Sequence, residues 1–134
     1  MSQSTTERDR VTVFHSRPDF TEALRVALEE NGFSTRTAQL ADIHDGTLDL
    51  PAFVASHKPA LIVYDLPSPY ERHWNVLRLL KDTASLKGAT WLLTTTDKRA
   101  LEAAMGVCGV VQIIGEPYGV PEVVEAVMKA LPEK

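Results

Sequence analysis

Ala60-Leu-Ile-Val-Tyr64 is an apolar run without alternation, and it ends on an aspartate, Asp65. A strand of that kind needs cover on both faces, the situation of a parallel sheet held between two layers of helices. The flanking sequence supplies the other parts. Val11-Thr-Val-Phe14 is a β-prone run, followed by a helical spacing of Phe20, Ala23, Leu24, Ala27 and Leu28 that stops at Asn31-Gly32. Phe33 to Gln39 reads as an edge strand, Leu48 to Ser56 as a short helix after the Asp45-Gly46 turn, and Tyr70 to Lys81 as a helix with Val76, Leu77 and Leu80 on one side. Thr90-Trp-Leu-Leu-Thr94 and Val110 to Ile114 are the fourth and fifth strands, with Lys98 to Gly106 as a helix between them. Pro121 opens a last helix whose Val124, Val127, Met128 and Leu131 form an apolar stripe. Five strands alternating with five helices predict an α/β fold with a parallel sheet, right-handed crossovers and a ligand crevice at the carboxyl ends of the strands.

Composition narrows the function classes. The chain has 134 residues, 44% apolar and 24% charged, the size and balance of one domain over residues 10–134 with residues 1–9 as a polar, disordered tail. A net charge of −4 argues against a phosphate backbone or an anionic membrane as partner. No apolar run reaches bilayer length and the first residues lack a signal-peptide pattern, so a cytoplasmic protein is expected. Cys108 is the one cysteine, which excludes an intramolecular disulfide and disfavours a cysteine-based zinc site. Cys108, within Gly106-Val-Cys-Gly109, reads as a small apolar packing group, and His44, His57 and His73 read as solvated. Nucleophile-elbow, phosphate-loop and dinucleotide motifs are absent, so no enzyme is expected.

The order of elements, with Asp65 closing the third strand, resembles the receiver domain of response regulators, the CheY-like (βα)5 fold, from about Val11 to Leu131. The resemblance implies a flavodoxin-like strand order of 2-1-3-4-5. It also implies a phosphoacceptor role for Asp65, a loop shaped by Asp65-Leu-Pro-Ser-Pro69, a switch hydroxyl at Thr94, and a cis peptide before Pro117 in Glu116-Pro-Tyr118. Receivers place an acid pair for Mg²⁺ where this chain has His15 and Ser16, a lysine where it has Glu116, and an aromatic where it has Ile113. These departures resemble the pseudo-receiver subgroup.

Phosphoryl transfer to a carboxylate needs cations around the equatorial oxygens. Mg²⁺ prefers carboxylate and other oxygen ligands in octahedral geometry, so His15 and Ser16 predict that Mg²⁺ binding is lost or weak. Ser16-Arg-Pro-Asp19 also fits a helix-capping pattern, which gives Ser16 a structural task. Glu116 substitutes repulsion for attraction; unit charges about 4 Å apart at an effective dielectric of about 20 interact by roughly 4 kcal/mol.

A stand-alone pseudo-receiver acting by protein binding in two-component or phosphorelay signalling is therefore expected. Its partner would be a histidine kinase or a downstream effector. Receivers use the fourth helix, fifth strand and fifth helix as partner and homodimer face; here that face would carry Lys98, Arg99, Glu102, Ile113 and the aromatic anchor Tyr118. The sequence leaves two alternatives open. One is a functional receiver phosphorylated on Asp65. The other is a small-molecule or metal-binding domain built on His15, Asp65 and Glu116, where an imidazolium would also neutralise the two acids.

Overall fold

The computed structural model describes residues 10–44, 52–53, 58–66, 70–81, 88–105 and 112–131. The elements run β1 (Arg10–His15), α1 (Pro18–Glu30), β2 (Ser34–Gln39), α2 (Leu40–His44), β3 (Leu61–Asp65), α3 (Tyr70–Lys81), β4 (Thr90–Thr95), α4 (Lys98–Met105), β5 (Gln112–Gly115) and α5 (Val120–Ala130). The strands form one parallel five-stranded sheet in the order β2-β1-β3-β4-β5, the (βα)5 flavodoxin/CheY-like arrangement.

Because side chains alternate along a strand, the sheet sorts its apolar residues into two cores. Phe14, Ile62, Tyr64, Trp91, Leu93 and Ile113 face one side and meet Leu40, Leu77 and Leu101 from α2, α3 and α4. Val11, Val13, Leu61, Val63 and Leu92 face the other and meet Phe20, Leu24 and Leu28 of α1 and Val123, Val124 and Val127 of α5. Each fully buried Leu, Val or Phe contributes on the order of 1.5–3 kcal/mol. All five residues of β3 are buried, as its uninterrupted apolar run requires.

Some local expectations shift. β5 is described from Gln112 to Gly115, one residue past the expected end, and positions 110 and 111 of the expected strand lie outside the described residues. A helix that sequence reading passed over follows β2 directly, and only Ala52 and Phe53 of the expected 48–56 helix are described, both helical. The tail 1–9, Pro67–Pro69, the Gly106–Gly109 loop with Cys108, and His57 lie outside the described residues. Among the described residues, no helix is long and apolar enough to cross a membrane.

One correction bears on function. The residue before α1 is Arg17, with extended backbone (φ −112°, ψ 114°) and no side-chain cap, so Ser16 does not cap this helix. Thr21 donates both its amide, the first bond of the helix, and its hydroxyl to the Arg17 carbonyl at 2.9 and 2.8 Å.

Candidate functional site

The columns of side chains facing α1 and α5 are apolar until the last turn of each strand, and there they become polar. Val11 and Val13 lead to His15, Leu61 and Val63 to Asp65, and Leu92 to Thr94. His15, Asp65 and Thr94 are 1%, 6% and 0% exposed, so every polar atom there needs a partner.

Asp65 finds two hydroxyls. Ser16 Oγ donates to Oδ2 at 2.7 Å and Thr94 Oγ1 donates to Oδ1 at 2.9 Å. Thr95, the neighbouring hydroxyl, points the opposite way and donates to the Leu66 carbonyl at 3.0 Å. This settles which of the adjacent threonines meets the carboxylate: the parallel register sets Asp65 beside Thr94.

His15 is fixed at both nitrogens. The Arg17 amide donates to Nδ1 at 3.1 Å, and Nε2 lies 2.9 Å from the Tyr118 hydroxyl and 3.7 Å from Asp65 Oδ1. A backbone N–H can only donate, so Nδ1 is bare and the ring proton belongs on Nε2, which donates to Tyr118. Phe20 packs on the ring with centroids 4.6 Å apart, and Tyr118 meets Phe20 edge-on at 5.5 Å. Burial lowers the His15 pKa below its ordinary value, with Asp65 pulling in the opposite direction. Burial likewise raises the Tyr118 hydroxyl, opposed by hydrogen bonding with Thr94 and by the charge of Arg17.

The remaining sequence-predicted residues are placed as follows. Glu116 is exposed; its amide donates to the Thr95 carbonyl at 3.0 Å and its bond to Pro117 is cis. Among the described residues, no three His, Cys, Asp or Glu side chains converge to hold a metal, so His15, Asp65 and Glu116 do not make the metal centre considered from sequence. Ile113 pairs in register with Leu93 and lies in the core on the opposite face from Thr94, so it does not stand behind that hydroxyl. Lys98, Arg99 and Glu102 are exposed on α4. Tyr118 is half-buried with its hydroxyl turned inward to His15.

Sequence reading missed Arg17 and Phe20. The guanidinium of Arg17 sits 5.1 Å over the Phe20 ring, and Phe20 is also the stacking partner of His15. A Phe in the first turn after a strand-end His was the available signal.

No protein-family profile and no curated protein matches the sequence. Solved structures do. The chain is similar to a sensor protein from Polaromonas sp. JS666, at 18% identity and TM-score 0.70 over 92% of this chain and 96% of that one. It is similar to a response regulator from Thermotoga maritima, at 20% identity and TM-score 0.68 over 92% and 98%. It is also similar to the signal receiver domain of a histidine kinase from Syntrophus aciditrophicus, at 21% identity and TM-score 0.64 over 94% of each chain. Together with the strand order, these likenesses show that the chain has the CheY-like receiver fold.

Proposed function

We propose that this protein is a pseudo-receiver: a receiver-fold module of two-component signalling that works by binding another signalling protein, with its phosphoacceptor position held as a structural centre. The observation that carries this reading is the state of Asp65. Both carboxylate oxygens accept hydroxyl hydrogen bonds, from Ser16 and Thr94, and a buried histidine occupies the neighbouring strand end. A phosphoryl group entering at Asp65 would have to break one of these bonds. It would also arrive in a site whose strand ends offer His15 and Ser16 in place of oxygen anions for Mg²⁺. The Glu116 carboxylate follows β5 where a cation would help the reaction.

The partner face on this reading is α4 with its exposed Lys98, Arg99 and Glu102, continuing towards β5 and α5. A histidine kinase or a downstream effector is the class of partner that the receiver fold suggests.

The test is incubation of the protein with acetyl phosphate and Mg²⁺, read by intact-mass and peptide mass spectrometry. No stoichiometric phosphoryl gain at Asp65 is expected. Rapid, Mg²⁺-dependent gain there would overturn the reading in favour of a working phosphoacceptor.

A further inference from the structure

The ring of His15 holds two elements together through opposite hydrogen-bonding roles. At Nδ1 it accepts the Arg17 amide, and at Nε2 it donates to Tyr118. Arg17 lies in the turn between β1 and α1, and its carbonyl receives both the amide and the hydroxyl of Thr21. Ser16, one residue earlier in the same turn, supplies the hydrogen bond to Asp65 Oδ2. A doubly protonated imidazole cannot accept, so an N–H would then face the Arg17 N–H across 3.1 Å.

We propose that His15 is a proton-operated latch on the β1–α1 turn: the neutral ring keeps the turn closed through Arg17, and a proton taken from solvent at Nδ1 releases the Arg17 amide, loosens the hold of Ser16 and gives Asp65 to the imidazolium. The groups facing the ring are Asp65 from β3, Arg17 in the turn, Asp19 from α1, and Glu116 and Tyr118 from the segment after β5. Asp65, Asp19 and Glu116 favour the charged ring, whereas Arg17 and burial oppose it. The closed state is therefore the neutral-pH state and the open state an acid one. The consequence for Asp65 rests on reading that carboxylate as sequestered; the coupling of the ring to the turn does not.

The experiment is nitrogen-15 NMR of the full chain from pH 7.5 downwards. At pH 7.5 the His15 ring should show a protonated Nε2 and a bare Nδ1. On acidification, the Ser16 and Arg17 amide resonances should move with the same midpoint as the ring, below about 6.5, the ordinary histidine value. His15→Gln should flatten both amide titrations, and should it fail to fold, the ring resonances of the native chain still decide. A proton on Nδ1 at pH 7.5, static Ser16 and Arg17 amides while the ring titrates, or global unfolding before the ring titrates would each overturn the latch. Acetyl phosphate labelling at pH 7.5 fails separately: rapid modification of Asp65 would sink the sequestered-carboxylate reading while leaving the coupled titration in place.

Discussion

Ser16 Oγ lies 2.7 Å from Asp65 Oδ2, so the residue that follows β1 donates to the carboxylate that ends β3. A hydrogen bond to a charged acceptor contributes about 1.5–3 kcal/mol, and Ser16→Ala should lower stability by about that amount. Ser16→Asp would instead set two carboxylates against each other. Its melting temperature should fall in the absence of divalent ions and recover with Mg²⁺, while the native protein should show no Mg²⁺ response; differential scanning fluorimetry with and without the ion reads both.

Stability should depend on pH through His15. Its folded-state pKa is lowered, so the unfolded chain binds more protons between that lowered value and about 6.5. The sign follows: the stabilisation is complete above about 6.5 and is lost as the pH falls towards the folded value. Urea unfolding at pH 7.5 and pH 5 should give a smaller free energy at the lower pH. In His15→Gln the difference should shrink.

Tyr118→Phe removes the acceptor of the Nε2 proton and leaves Asp65 Oδ1, at 3.7 Å, as the nearest carboxylate oxygen. A loss of about 0.5–1.5 kcal/mol is expected, with the aromatic contact to Phe20 retained. Phenolate absorbance provides a companion check. Tyr64, buried beside Asp65, is pushed up to about 12, so an alkaline titration step there should vanish in Tyr64→Phe.

Gly115 marks a close approach rather than a turn. A Cβ on it would sit 2.8 Å from Lys98 Cβ and 3.3 Å from the Lys98 amide nitrogen, where α4 begins. Gly115→Ala should cost about 1–3 kcal/mol through displacement of that helix start. Thermal unfolding measures it, and Gly88→Ala, with open space around the added carbon, is the control.

The sheet was legible because its evidence is local. The unbroken apolar run of β3 and the helical spacing in α1 and α3 each carry their own period, and alternation of the two fixes a parallel sheet. The site was legible only as a set of strand-end positions. The serine of Ser16-Arg-Pro-Asp19 suits a helix cap as well as any other use, and the partner it chose stands 49 residues away. Tyr118 reads as an aromatic anchor for a partner, yet its hydroxyl bonds a side chain 103 residues earlier. Such long-range pairings depend on which strands become neighbours, and no window of sequence contains them. Ile113 illustrates the same limit: its pairing with Leu93, a residue of another strand, decides which face it occupies.

β1, β3 and β4 are the interior strands, each laddered on both sides. The stumps that present His15, Asp65 and Thr94 are thereby clamped by main-chain bonding that no side-chain exchange disturbs. Chemistry at these tips can be swapped like fittings on a fixed mount, and an imidazole, a carboxylate and a hydroxyl stand side by side there without a single strand changing neighbours.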